Sequence, residues 1–160
     1  MRILGIDPGL AVTGYAVIEA QNPERIKLIE AGIIRTKPRE SISDRLKKIY
    51  SNLEELVDDN APQVLVLEKL YSHYKHPTTS ILMAHARGAI CLLCGLKKIK
   101  LISYPSTRIK KAVTGKGHAS KIQVQSMVAE LMNLKKIPEY YDVTDALALA
   151  LSFVYIELRK

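Results

Sequence analysis

The sequence predicts an α/β domain in which helices flank a mixed β-sheet. Three observations support this class: three strand patterns open the chain, strand and helix patterns then alternate, and three helix patterns end it. The chain has 160 residues, of which 48% are hydrophobic and 25% charged. These values fit a single globular domain over residues 1–160 with a sizeable core.

Short links between the first three strands predict antiparallel pairing among them. Asp7-Pro8-Gly9 begins the first link, and Gln21-Asn22-Pro23 breaks the chain before the third strand. A helix pattern then runs from Ile42 to Val57, with Ser41 or Ser43 available as its N-cap. The three strands are predicted over residues 2–6, 14–20 and about 26–36.

The second half of the chain alternates between strands and helices. Residues 64–67 are all apolar, as in a central strand covered on both faces of its sheet. A helix over residues 80–94 follows and is expected to end at Gly95. The other elements are a strand at 101–104 and helices at 106–113, 121–132 and 142–158.

The helix over residues 80–94 has apolar side chains around most of its circumference. A sheet can cover only one side of it, so we expect a homodimer in which a second copy covers the other side. Cys91 and Cys94 lie in this helix without a second cysteine pair, which favours buried free thiols over a zinc site.

The N-terminus begins with a strand pattern and lacks the layout of a signal peptide. The longest apolar stretches are too short or too interrupted to span a bilayer. We therefore expect a cytoplasmic protein that makes no contact with a membrane.

Four carboxylates stand at the borders of apolar segments. Asp7 ends the first strand, Glu68 ends the fourth, and Asp142 and Asp145 open the last helix. Ligands of α/β sheets collect beyond the carboxyl ends of strands, and residues three apart share one side of a helix. A carboxylate at the edge of a core is costly to desolvate unless it is hydrogen-bonded, paired or metal-bound. The four acids are therefore predicted to converge on a divalent metal.

An all-oxygen, anionic cluster suits Mg²⁺, with Mn²⁺ as an alternative. Two such ions about 3.5–4 Å apart could clamp the attacking water and the leaving oxygen of a phosphodiester. Each acid also has a simpler interpretation: Asp7 can open a turn, Glu68 can mark where a strand reaches solvent, and Asp142 with Asp145 can cap a helix. Their joint placement favours a catalytic metal site.

Basic residues are concentrated in one segment of the chain. The net charge is +8, yet the segment between Glu68 and Glu130 carries +11 and no acid, while the remaining 13 basic and 16 acidic residues carry −3. A block of one sign beside an acidic site suits a phosphate backbone, although a basic surface can also serve solubility. The predicted DNA contacts are Tyr71, Lys75, Arg108, Lys110, Lys111, Lys116 and Lys121.

The loop from Tyr71 to Pro77 mixes aromatic rings with positive charge directly after Glu68. Aromatic faces stack on unpaired bases for about 1–3 kcal/mol each, so this loop could act as a wedge at a DNA crossover. A surface loop whose tyrosines cover the sheet edge is the alternative.

A series of motifs resembles the RuvC family of Holliday-junction resolvases over nearly the whole chain. In order they are Gly5-Ile6-Asp7-Pro8-Gly9 with Thr13-Gly14, Glu68 followed by Tyr71, His85-Ala86-Arg87-Gly88, Val113-Thr114-Gly115-Lys116-Gly117 running into Lys121-Ile122-Gln123, and Asp142-Val143-Thr144-Asp145-Ala146.

The resemblance implies a ribonuclease H-like fold and a homodimer that cuts four-way junctions in recombination and DNA repair. It further implies two magnesium ions per site, paired symmetric nicks that leave 5′ phosphate and 3′ hydroxyl ends, and a branch-migration motor as partner. The four acids fall on the family's catalytic acids, Lys110 and Lys121 on lysines that contact DNA or support the site, and Tyr71 on an aromatic residue implicated in junction recognition.

Other functions remain open. Another ribonuclease H-like nuclease, or a junction-binding protein that does not cut, would share these features. Asp7, Gly9, Thr13 and Gly14 also resemble the first phosphate loop of actin-like kinases, but this chain has the length of one lobe rather than two. Gly115-Lys116-Gly117 lacks the spacing of a Walker-type phosphate loop.

Overall fold

The computed structural model describes residues 1–70 and 77–159, so the predictions for Tyr71 and Lys75 lie outside the described residues. Within these ranges the chain folds as an α/β domain, as predicted. Its elements in chain order are β1 (Arg2–Asp7), β2 (Val12–Asn22), β3 (Arg25–Arg35), α1 (Ile42–Asn60), β4 (Val64–Glu68), α2 (Pro77–Lys97), β5 (Lys100–Tyr104), α3 (Ser106–Thr114), α4 (Lys121–Leu131) and α5 (Tyr141–Glu157).

The strands of the described residues form a mixed sheet in the order β3-β2-β1-β4-β5. β1 pairs antiparallel with β2, and β2 with β3, which confirms the predicted pairing of the first three strands. β1, β4 and β5 run parallel. The carboxyl ends of β1 and β4 therefore meet at one edge of the sheet, where Asp7 and Glu68 stand.

Two apolar cores lie on opposite faces of this sheet. Ile3, Val64 and Val66 pack with α5, α3 and α4, whereas Leu4 and Leu65 pack with α1 and α2. Successive side chains of a strand point to opposite faces. Because of this alternation, the side chain of Asp7 points to the same face as that of Ile3, and the side chain of Glu68 to the same face as that of Val66. This is the face that α5 covers.

Two glycines let α5 lie unusually close to the sheet. A Cβ atom on Gly5 would lie 2.8 Å from the backbone nitrogen of Ala150, and one on Gly14 would lie 2.8 Å from the Cβ atom of Asp142. Real Cβ atoms do not approach other atoms so closely, so a side chain at either position would push α5 away. The absence of side chains at Gly5 and Gly14 thus sets the distance between the sheet and the N-terminal half of α5.

The ends of two helices differ in how well the sequence predicts them. Ser41 rather than Ser43 caps α1, because its hydroxyl accepts the Asp44 backbone N–H. The expected end of α2 at Gly95 is wrong, since the helix continues to Lys97. It ends where Lys98 takes a left-handed conformation, φ 55°, and the Ile99 N–H bonds the Cys94 carbonyl. Glycine permits a helix to end but does not compel it.

α2 packs only one face on the domain. Ala86, Ile90 and Leu93 are buried against the sheet and α1. On the other side Ile81, Leu92 and Leu96 are 57%, 58% and 61% exposed. These three side chains recur at helical spacing, so they form an apolar stripe that nothing in the described residues covers.

α2 is also long and apolar enough to cross a membrane by length and composition, contrary to the expectation that no stretch of the chain would be. Core helices of soluble proteins pass the same test. Its two cysteines are free thiols, as predicted, with Cys94 buried and Cys91 half-buried. Burial, with a smaller contribution from Cys91, raises the pKa of Cys94 to about 11, so this thiol is inert at neutral pH.

Candidate active site

The four predicted acids gather at the carboxyl edge of the parallel strands. Asp7 and Glu68 end the adjacent strands β1 and β4 on the face that α5 covers. Asp142 lies in the first turn of α5 and packs against Gly14, which is the register partner of Asp7. Asp145 follows three residues later on the same side of the helix. The strand ends and the helix start thus bring together acids that are distant in sequence.

Electrostatic coupling shows that these acids form one cluster. The pKa of Asp7 is raised from 3.8 to about 7, first by burial and then by the charges of Asp145, Asp142 and Glu68. Lys121 opposes this shift. The shift therefore combines the desolvation of a buried carboxylate with repulsion from three neighbouring acids, and a bound cation would relieve both.

Glu68 has two compensating neighbours. Burial raises its pKa, and the charge of Asp145 adds to the effect, while a hydrogen bond from Ser106 and the charge of Lys110 lower it. Ser106 is the first residue of α3, which begins directly after β5. The link between β5 and α3 therefore places a hydroxyl donor on the Glu68 carboxylate.

Lys121 is the cation closest to the cluster among those whose contacts the structure shows. It begins α4 after the capping residue Ser120, and its Nζ lies 3.1 Å from Oδ2 of Asp145. The same ammonium lies 5.0 Å from the centre of the Tyr141 ring. Partial burial lowers the pKa of Lys121, but the hydrogen bond to Asp145 and the charges of Asp145, Asp7 and Asp142 outweigh it and raise the pKa.

A cleft of about 190 Å³ opens beside the acids. It combines acidic and basic side chains with an apolar wall, so it can receive a phosphate next to carboxylates. Its lining residues are Glu68, Ser106, Ile109, Lys110, Lys121, Val124, Asp145, Ala148 and Leu149.

The donor set suits a hard divalent cation. All four acids present carboxylate oxygens, which Mg²⁺ and Mn²⁺ prefer, and their mutual repulsion is the charge imbalance that such an ion relieves. Among the described residues no three acidic, histidine or cysteine side chains stand at metal-ligand spacing. The acids are therefore neighbours rather than a closed cage, and their assignment as metal ligands stays a prediction.

Only some of the predicted DNA contacts among the described residues line the cleft beside the acids. Lys110 and Lys121 line the cleft beside the acids. Lys111 instead lines a separate groove with Leu131 and Leu158, so the structure does not bring it to the cleft. Arg108 lies over the Tyr104 ring at 5.1 Å, and Lys116 is exposed just after α3.

Sequence reasoning missed three residues at this site. Ser106 contacts Glu68, Tyr141 supports Lys121, and Arg87 donates to the main chain of Glu68. Two signals were weak, since Ser106 stands at a strand-to-helix junction and Tyr141 precedes an acid, whereas Arg87 belongs to the motif His85-Ala86-Arg87-Gly88 but was given no role. None of these signals identifies the residue that the side chain contacts.

Comparison with known proteins agrees with this arrangement. Residues 3–153 match the family described as crossover junction endodeoxyribonuclease RuvC. The chain belongs to the RuvC family. A RuvC of Rhodopirellula baltica is 45% identical over 96% of this chain and 86% of its own, and one of Caldicellulosiruptor saccharolyticus is 39% identical over 96% and 92%.

Solved structures of RuvC proteins share the fold. The RuvC of T. thermophilus in complex with a Holliday junction substrate superposes with a TM-score of 0.89 at 26% identity, covering 97% of this chain and 93% of that one. The mixed sheet and flanking helices are thus those of a RuvC, which confirms the expected ribonuclease H-like class. The yeast mitochondrial resolvase Ydc2, at 12% identity and a TM-score of 0.68, shares the fold alone.

Proposed function

We propose that this RuvC-family chain resolves four-way DNA junctions by paired, symmetric, metal-dependent nicks that leave 5′ phosphate and 3′ hydroxyl ends. The observation that carries the proposal is the cluster of Asp7, Glu68, Asp142 and Asp145, in which burial first and then the charges of the other three acids raise the pKa of Asp7. Family membership supports the substrate, because the related T. thermophilus RuvC binds a Holliday junction.

The four acids would hold two divalent ions, Mg²⁺ or in its place Mn²⁺. When bound, such ions supply Lewis acidity toward the phosphate and lower the pKa of water. Glu68 is oriented for this task by the hydroxyl of Ser106. Lys121 and Lys110 line the same cleft, so they place positive charge where a scissile phosphate would develop negative charge.

DNA binding rests on the basic residues near the cleft and on the loop after Glu68. Lys110 and Lys121 are proposed to contact phosphates close to the cut, and Arg108, Lys111 and Lys116 to contact the DNA backbone elsewhere. Tyr71 and Lys75 are proposed as junction contacts on the basis of the sequence. Each phosphate contact of this kind steepens the salt dependence of binding.

A homodimer is proposed to form through the apolar stripe on α2. Ile81, Leu92 and Leu96 present it, and an isologous contact between two copies would cover it. Two copies related by a two-fold axis would present two clusters to a substrate that itself has two-fold symmetry. A branch-migration motor is the further proposed partner, and the cytoplasm is the proposed location.

The decisive experiment incubates the protein with a mobile synthetic four-way junction, a linear duplex and an RNA–DNA hybrid, each with and without Mg²⁺. Paired nicks at symmetric positions of the junction, dependent on the metal, are expected. Cutting of the hybrid instead would identify another ribonuclease H-like nuclease. Binding of the junction without nicks at any Mg²⁺ or Mn²⁺ concentration would overturn the enzymatic proposal.

A further inference from the structure

Arg87 reaches the active-site strand from the opposite face of the sheet. It lies on α2, whose buried residues Ala86 and Ile90 pack on the face away from α5. Its Nη1 donates a hydrogen bond of 2.6 Å to the backbone carbonyl of Glu68, and its Nη2 donates one of 2.9 Å to Oγ of Ser103. A single guanidinium thus joins α2 to the ends of both β4 and β5.

The Arg87 contact lies at the end of β4, where the strand is paired on one side only. The pairing of β4 with β1 extends only to the Gly5–Val66 pair, two residues before Glu68. On the other side Glu68 pairs with Tyr104, and the Lys69 N–H bonds the Tyr104 carbonyl. Glu68 is therefore held by the sheet on one side only, and Arg87 supplies a charged donor to its carbonyl.

Glu68 is consequently held from both faces of the sheet. Its carboxylate accepts a hydrogen bond from Ser106 on the α5 face, and its backbone carbonyl accepts one from Arg87 on the α2 face. The planar guanidinium fixes direction as well as distance, because its two donors must satisfy Glu68 and Ser103 together. A lysine ammonium keeps the charge but lacks the planar fork that sets the directions of two donors at once.

We propose that Arg87 is a positioning residue that keeps the Glu68 carboxylate beside Asp7 and Asp145 and thereby connects α2 to the acidic cluster. This inference rests on the proposed function, since it assigns Glu68 a task in the metal site. Arg87 acts through the main chain of β4 and does not itself face the cleft. α2, which carries the apolar stripe proposed as the dimer contact, thus also positions Glu68.

The test compares Arg87→Gln and Arg87→Lys with the matched control Lys97→Gln. Lys97 lies on the same helix, but its Nζ bonds Asp58 at 2.7 Å and Glu54 at 3.3 Å, both on α1. Three quantities are measured for each variant: Mn²⁺ affinity by calorimetry without DNA, junction affinity without metal, and the single-turnover nicking rate across Mg²⁺ concentrations.

Loss of a group that orients a metal ligand typically costs about 10–100-fold in metal affinity or activity. We expect Arg87→Gln to weaken Mn²⁺ binding and slow nicking within this range, with junction affinity unchanged. Arg87→Lys should recover part of both losses, Ser103→Ala should cause a smaller loss of the same kind, and Lys97→Gln should match the wild type.

The proposal is overturned if Arg87→Gln lowers the melting temperature but leaves Mn²⁺ affinity and the Mg²⁺ dependence of nicking unchanged. If Arg87→Gln does not fold, Arg87→Lys and Ser103→Ala decide the matter by the same measurements. A wild-type protein that binds Mn²⁺ but does not nick junctions would overturn the proposed function, while the Mn²⁺ affinities would still decide the role of Arg87.

Discussion

The two faces of the sheet use apolar helices for different purposes. On one face α5 is buried from Val143 to Val154 apart from Asp145, and its N-terminal end delivers two acids to the carboxyl edge of the strands. On the other face α2 is comparably apolar, yet it buries one side and exposes Ile81, Leu92 and Leu96. Burial on both sides fixes a helix to its own domain, whereas burial on one side leaves a surface for a partner.

The glycines on the two faces of the sheet also differ in how closely other atoms pack against them. Gly5 and Gly14 face α5 so closely that any side chain would collide with its backbone. Gly88 and Gly95 of α2 have no atom within 4 Å of the place where a Cβ would stand. Glycine therefore serves close packing on the α5 face, whereas on α2 it makes no such contact with the described part of the chain.

The largest expected effect comes from breaking the acidic cluster. Asp7→Asn should slow nicking by at least about a hundredfold, because it removes a proposed ligand of the divalent ion together with its negative charge. Junction binding should persist, since removing an anion cannot weaken attraction for phosphate. Gel-based nicking and binding assays measure the two effects separately.

The control for Asp7→Asn is Asp44→Asn, an acid in the first turn of α1 on the opposite face. It should nick at the wild-type rate. Loss of nicking and binding together in Asp7→Asn would show that this acid supports the fold or the DNA surface rather than the metal.

The α2 face is tested by placing a charge in its stripe. Leu92→Glu should convert the proposed dimer to a monomer, because a buried unpaired carboxylate at an interface is costly to desolvate. Sedimentation at micromolar concentration measures this. Ile42→Glu, a charge on an apolar side chain that is 43% exposed at the start of α1, should leave the dimer intact. A wild-type protein that sediments as a monomer would disprove the proposed interface.

Gly14→Ala and Gly88→Ala compare the two faces directly. The new Cβ at position 14 would collide with Asp142, so α5 must shift; such overpacking typically costs about 1–3 kcal/mol, and metal binding should weaken with it. At position 88 the new Cβ meets open space, and alanine favours a helix over glycine by about 0.5–1 kcal/mol. Urea unfolding of a monomeric background, Leu92→Glu, should show opposite signs for the two substitutions.

Much of this architecture could be predicted from local pattern. The acids were recognisable because each one interrupts an apolar run at a strand end or a helix start, as at Asp7 and Glu68. The contacts of Arg87 and Ser106 with Glu68 were not predictable, because they depend on β4 lying between β1 and β5, and spacing along the chain does not dictate that order. The end of α2 was missed because Gly95 lies on an exposed face where helix and turn are both allowed.

The acidic cluster should also make stability depend on pH. The pKa of Asp7 is raised from 3.8 to about 7, so between these values the folded chain holds a proton that the unfolded chain has released. Stability must then fall as pH rises through this window. We expect a loss of about 1–3 kcal/mol between pH 5 and pH 8 without metal, from a scale of about 1.4 kcal/mol per pKa unit.

The raised pKa of Glu68 acts in the same direction, whereas the raised pKa of Lys121 contributes stability that is lost only at alkaline pH. Urea unfolding at pH 5 and pH 8 measures the slope. Asp7→Asn should flatten it, and Mg²⁺ at pH 8 should restore stability to the wild type but not to the variant. A stability that rises from pH 5 to pH 8 would contradict the raised pKa of Asp7.

The smallest expected effect concerns the ring beneath Lys121. Tyr141 is exposed, and the centre of its ring lies 5.0 Å from the Lys121 ammonium, which also pairs with Asp145. An exposed cation–π contact is worth about 0.5–1 kcal/mol, so Tyr141→Ala should slow nicking about two- to fivefold. Tyr141→Phe retains the ring and should behave as the wild type in single-turnover assays. If both variants lost the same nicking activity, the effect would come from the Tyr141 hydroxyl. The aromatic ring would then play no part in holding Lys121 beside the acids.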